Sequence, residues 1–190
     1  MKTETKIDTL VAGQRAFFAK GKTRDVNFRL AALRRLRDGI RRREKEIAAA
    51  LHEDLHKSSF EAYMTEIGMA LDEIGFLIKH TGEYAKPERV PAALSQFPAK
   101  CYIKKEPYGV TLIMSPWNYP FLLSIEPAAG AIAAGNCCII KPSAYAPAVS
   151  RVIRELIKEL FDPAFVAVVE GGREENSRLL EEKFDYIFFT

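Results

Sequence analysis

The pentapeptide HEDLH, residues 52–56, sets two histidines four apart around a glutamate, the spacing that lets two imidazoles bind zinc on one helical face while the carboxylate activates water. It stands at the very end of a helical run, Lys57-Ser58-Ser59 breaks the pattern, and no clear third ligand follows. A polar helix end, where cationic imidazoles face the last carbonyl dipoles, accounts for His52, Glu53 and His56 without a metal. The second candidate is quieter. In MSPWNYPF, residues 114–121, Asn118 is a carboxamide between two aromatics and two prolines, directly after the apolar run 109–114. Such a group either closes a helix turn or reaches for something that is not protein. Pro120 disfavours helical angles at the residue before it, so the following helix is expected to start at Pro120, too late for Asn118 to cap it. Lys141 repeats the placement, after the apolar run 137–140 in IIKPSAYAP.

These positions matter because of the elements that precede them. From residue 108 the pattern alternates strand and helix over 108–114, 120–134, 137–140, 147–160, 165–169, 173–182 and 186–189. Short apolar strands separated by helices imply an α/β fold, a parallel sheet covered on both faces. Ligands of such sheets bind beyond the carboxyl ends of the strands, and Asn118 and Lys141 are delivered to that same edge. The first part of the chain reads as helices. Ile7, Leu10, Val11, Gln14, Phe17 and Phe18 share one face, ending at Lys20-Gly21. A long second helix, with Thr23 as N-cap, carries Leu30, Leu33, Ile40, Ile47, Leu51 and Leu55. A third opens on the capping-box pair Ser58 and Glu61, carries Tyr63, Ile67, Leu71, Ile74 and Ile78, and ends near Gly82. Pro87, Pro91 and Pro98 mark a crossing loop, and 101–106 reads as an exposed or edge strand. The expected divisions are 1–84, 85–107 and 108–190.

Composition narrows the classes. With 190 residues, 48% of them apolar, the chain can bury a core. A net charge of +3, from 28 basic and 25 acidic side chains, is far from the bias of a nucleic-acid binder. Arg34, Arg35, Arg37, Arg41, Arg42 and Arg43 are interleaved with Asp38, Glu44 and Glu46, as on a solvated helix face or a subunit contact. The charged amino terminus carries no signal-peptide pattern and no apolar stretch reaches membrane-spanning length, which points to a cytoplasmic protein. Cys101, Cys137 and Cys138 read as structural thiols, the last two within a buried strand.

The stretch EPYGVTLIMSPWNYPFLLSIEPAAGAIAAGNCCIIKPS, residues 106–143, resembles the aldehyde dehydrogenase superfamily, in the branch that contains the fatty-aldehyde enzymes; KSSFEAYMTEIG and FDYIFFT fit that branch too. The resemblance implies a Rossmann-like sheet binding NAD or NADP and an aldehyde oxidised to an acid through a cysteine thiohemiacetal. It implies that Asn118 is the oxyanion-hole amide, a donor that never titrates and is worth about 3 kcal/mol of barrier. Lys141 would hold the adenosine ribose. Ser115, Pro116, Trp117, Ser143 and Thr190 would belong to the cofactor cleft, and Tyr63 would face the substrate passage. Residues 85–107 would form an arm for contact in a homodimer or higher homo-oligomer.

The same resemblance exposes two departures. Where the family commonly has a ribose-gripping glutamate, three residues after the lysine, this chain has Ala144, so NADP should be tolerated. The sequence as given reaches Thr190 with neither the glutamate base nor the nucleophilic cysteine in its family setting, so these residues alone are expected to be inactive. The reading from another class is a non-catalytic nucleotide-binding or assembly module, with a zinc peptidase at HEDLH a distant third.

Overall fold

Near residue 108 the apolar spacing changes from three- and four-residue steps to continuous runs, and there a helical layer gives way to a sheet in the computed structural model, which describes residues 4–190. The helices are α1 (Glu4–Ala19), α2 (Val26–Arg42), α3 (Glu44–Leu55), α4 (Ser59–Ala62) and α5 (Gly68–Tyr84), with a π-helical turn, Tyr63–Ile67, joining the last two. The single long helix expected after Thr23 is therefore two. Its apolar stripe continues through both, Leu33, Leu36, Ile40, Ile47 and Leu51 being fully buried, but Arg43 at φ −103° leaves the helical path between them. Asp25 rather than Thr23 caps α2, its carboxylate accepting from the Asn27 N–H at 2.9 Å; an aspartate in extended backbone is the better acceptor, and Thr23 is held in a short 3-10 turn. Ser58 caps α4 as expected, accepting from the Glu61 N–H at 3.1 Å. The arginine-rich face is not simply solvated: Arg42 and Arg43 pair with Glu159 at 3.0 and 2.8 Å, and Arg35 donates to the Leu160 carbonyl.

Strand β1 (Glu88–Val90) pairs antiparallel with β2 (Cys101–Ile103) in a ribbon. Only the second was expected. Three residues between Pro87 and Pro91 are too short a run to show alternation.

The main sheet consists of β3 (Val110–Met114), β4 (Cys137–Lys141), β5 (Val166–Val168) and β6 (Tyr186–Phe189), in the order β5-β4-β3-β6 and parallel throughout. Helices α6 (Leu122–Ala134), α7 (Pro147–Leu160) and α8 (Arg173–Glu181) alternate with the strands. Two apolar clusters flank the sheet: Ile113 and Ile140 face the larger one, shared with α2, α3, α5, α6 and α7, while Leu112, Met114 and Ile139 meet Ile7, Val11 and Leu179 of α1 and α8. The α/β reading therefore holds, and β3 and β4 are covered on both faces. Register pairs Met114 with Lys141 and with Phe189, so three strands end together at one edge. Among the described residues, no helix is long and apolar enough to cross a membrane.

Candidate functional site

Beyond that edge lies a cavity of about 400 Å³ lined by Met114, Ser115, Lys141, Ser143, Arg173 and Phe189, among others. All but Ser143, which lies in the connection from β4 to α7, are placed by a strand end or a helix start. Lys141 closes β4, almost wholly buried, and its ammonium donates to the Pro142 carbonyl at 2.8 Å. Burial lowers its pKa, with the carboxylates of Glu175 and Glu170 pulling the other way. Ser115 continues the β3 ladder, its N–H donating to the Lys141 carbonyl, and its hydroxyl shares a 2.6 Å hydrogen bond with Ser124. The fourth wall is the loop Gly171-Gly172 and the start of α8. A Cβ placed on Gly172 would meet no protein atom within 4 Å, and the Gly172 N–H donates to the Glu175 carboxylate at 2.7 Å. Asn176, one turn further on, lends the wall a buried Oδ1 that has no hydrogen-bond partner. Glycine loop, buried ammonium and an unpaired acceptor make a polar cavity at the carboxyl edge of the sheet, where a ribose could be held.

Of the sequence-expected cofactor positions, Ser115, Lys141 and Ser143 line this cavity, whereas Pro116, Trp117 and Thr190 are not among its lining residues. Trp117 is 56% exposed, and the Thr190 N–H reaches back to the Met114 carbonyl. Gly171, Gly172 and Arg173 were missed. Their signal was present: two glycines between an apolar strand and a helix start.

Asn118 lies outside that cavity, exposed, on the connection from β3 to α6. Helix α6 begins at Leu122, two residues later than Pro120, and Asn118 does not cap it. Glu66 does, from the π turn: one carboxylate oxygen accepts from the Phe121 and Leu122 N–H groups at 2.8 and 3.1 Å. Only the Asn118 carbonyl is engaged, by Lys57 Nζ at 3.3 Å; the side-chain amide has no partner among the described residues. Tyr63 lines a different cavity, about 310 Å³, with Glu44, Lys45, His52, Lys57 and Ser59. Lys57 is thus common to the surroundings of Tyr63 and of Asn118. Sequence reasoning passed over both Lys57 and Glu66.

The other candidates resolve into structure. Helix α3 ends at Leu55 and His56 adopts a left-handed conformation; the His56 ring stands 5.9 Å from that of His52, whose Nδ1 lies 3.1 Å from the Lys57 carbonyl. No group of three or more metal-ligating side chains occurs among the described residues. Cys137 and Cys138 are buried in β4, and burial pushes the Cys137 thiol up to about 12.

Residues 1–190 match the Aldehyde dehydrogenase family along their whole length. A 4,4'-diaponeurosporen-aldehyde dehydrogenase of Staphylococcus aureus is 49% identical over 176 residues, 93% of this chain and 38% of that protein. The dimeric NADP-preferring aldehyde dehydrogenase of Canis lupus familiaris is 41% identical over 186 residues, 98% and 41% of the respective chains. Among solved structures, substrate-bound AldH from Staphylococcus aureus superposes with a TM-score of 0.94 at 47% identity, covering 96% of this chain and 40% of the other. The chain thus spans about 40% of the length of these relatives. The fold extends further, to the NADP complex of glyceraldehyde-3-phosphate dehydrogenase GapN from Methanocaldococcus jannaschii, with a TM-score of 0.75 at 21% identity.

Proposed function

The chain belongs to the aldehyde dehydrogenase family, and from that membership we propose that the gene product carrying these residues oxidises an aldehyde to a carboxylic acid, with NAD or NADP taking up the hydride. The observation that carries the reading is the convergence of Ser115, Lys141, Ser143 and the Gly171-Gly172 loop on one cavity at the carboxyl edge of a parallel sheet. In balance, aldehyde, water and oxidised cofactor yield carboxylate, reduced cofactor and protons.

Within this reading the residues have distinct tasks. Lys141 and Ser143 hold the adenosine ribose. Pro116, Trp117 and Thr190 border the same cleft as it extends from the adenosine end toward the aldehyde, Tyr63 faces the aldehyde, and the β1–β2 ribbon serves contact between copies. Ala144 leaves room beside the ribose, and Arg173 supplies a cation on the same wall, so a 2′-phosphate is accepted as well as a free hydroxyl. Asn118 donates its amide to the aldehyde oxygen as that oxygen becomes negative in the thiohemiacetal. None of Cys101, Cys137 and Cys138 suits the nucleophile; the two β4 thiols are buried, with their thiolates disfavoured. The nucleophile and the general base are assigned to the part of the relatives' length that residues 1–190 do not span.

The test is steady-state kinetics of the intact gene product with medium- and long-chain aldehydes and each cofactor. Turnover is expected with both NAD and NADP, and Asn118→Ala should lower kcat about 100- to 1,000-fold. Cofactor binding without any turnover would instead favour a non-catalytic nucleotide-binding module. A strict NAD preference would refute the roles given to Ala144 and Arg173.

A further inference from the structure

No ion pair among the described residues is as deeply buried as Lys57–Glu66, whose side chains are 9% and 0% exposed. The ammonium lies 2.5 Å from Glu66 Oε1, 3.3 Å from the Asn118 carbonyl oxygen and 4.2 Å from the centroid of the Tyr119 ring. The other carboxylate oxygen of Glu66 takes the N–H groups of Phe121 and Leu122. Attachments at Asn118, Tyr119, Phe121 and Leu122 thus pin the segment from one side, and both charged groups come from the α3–α5 region, far away in sequence. Withdrawing two charges from water is a poor way to gain stability alone; buried pairs are better explained by the register they impose. Here the pair imposes the path of the main chain at Asn118, whose amide is left free. Glu66 itself stands within the π turn Tyr63–Ile67.

We propose that Lys57 and Glu66 are positioning residues for aldehyde oxidation, fixing the Asn118 backbone so that its amide meets the developing oxyanion. The inference rests on the function proposed above. In this proposal both act through Asn118. Displacing a preorganised donor by about 1 Å is enough to slow a reaction on the order of 100-fold.

A double-mutant cycle on the intact gene product tests it. Lys57→Met and Glu66→Gln should each lower kcat about 10- to 100-fold while the dissociation constant of the cofactor stays within about twofold. Lys57→Arg, which keeps the cation, should recover most of the lost rate. Combining Lys57→Met with Asn118→Ala should be no slower than Asn118→Ala alone, because a positioning residue has nothing left to position. Should Lys57→Met fail to fold by circular dichroism, the cycle is run with Glu66→Gln, whose amide oxygen still accepts from Phe121 and Leu122. Single variants with undiminished kcat, or losses that multiply in the double variant, overturn the inference while leaving the function intact. An unsubstituted protein that oxidises no aldehyde overturns the proposed function, and this inference with it.

Discussion

Cys137 and Cys138 stand next to each other on β4, each without solvent exposure, and the thiolate is the reactive form of either. Burial raises the Cys137 thiol to about 12; Cys138 is raised too, by burial first and by its neighbour's charge second. A raised thiol pKa means less thiolate below it, so at pH 8 Cys137 is ionised in roughly one molecule in ten thousand. Iodoacetamide at that pH should therefore add a single group to native residues 1–190 expressed alone, at the half-buried Cys101, and three groups after unfolding in guanidinium; intact-mass spectrometry showing two or more adducts on these residues when native would contradict this. Polarity and place also made part of the site legible in the sequence. Ser115 and Lys141 follow apolar runs in a strand–helix pattern, and a parallel sheet has one edge to send them to. Lys57 and Glu66 gave no such signal. Their partners, Asn118 and the start of α6, are far along the chain, 55 residues from Glu66 to Phe121, and acquire meaning only once the fold brings them together.

Helix ends show how an element is fixed by a few backbone groups. At the end of α6, Gly135 takes φ +90°, and the N–H groups of Gly135 and Asn136 turn back to Ile132 and Ala131 at 3.0 and 2.9 Å. The Arg29 guanidinium lies against this turn and donates to the carbonyls of Thr23, Arg24 and Ala133, tying the start of α2 to the end of α6. A Cβ on Gly135 would stand 2.7 Å from Arg29 Cζ. Gly135→Ala therefore incurs about 1–2 kcal/mol for left-handed backbone and about 1 kcal/mol more for the displaced hydrogen bonds. Calorimetry should show Tm lower by roughly 5–10 °C; a shift below about 1 °C would show that neither contact matters. Glycine here was not marked as a stop in advance, although the helix was. Element types were readable because period is a property of the sequence, whereas the break at Arg43, the late start of α6 and the three-residue β1 depend on what packs alongside.

Across the whole molecule, the strand order leaves β6 at an edge among the described residues, where Tyr186 is 50%, Ile187 44% and Phe189 77% exposed. The face beside it is also open. Tyr108 stacks on Tyr186 at 5.7 Å between centroids, over an apolar groove of about 220 Å³ that includes Ile113, Pro127, Ala131 and Phe188. An edge strand offers a row of unsatisfied backbone groups, and here its apolar side chains accompany them, with no charged residue between Tyr186 and Phe189 to discourage pairing. The sheet's other edge, β5, is short and carries small side chains, so it competes poorly. Residues 1–190 expressed alone should consequently associate through β6, seen in sedimentation velocity as a weight-average mass that rises with concentration. Ile187→Lys, which places a charge on that edge without entering either apolar cluster, should return the chain toward monomer while preserving its circular dichroism. Concentration-independent monomers of the unsubstituted chain would mean that β6 is protected by its own twist and needs no cover; association unaffected by Ile187→Lys would move the contact to another surface, with the β1–β2 ribbon and its exposed Tyr102 and Ile103 next in line.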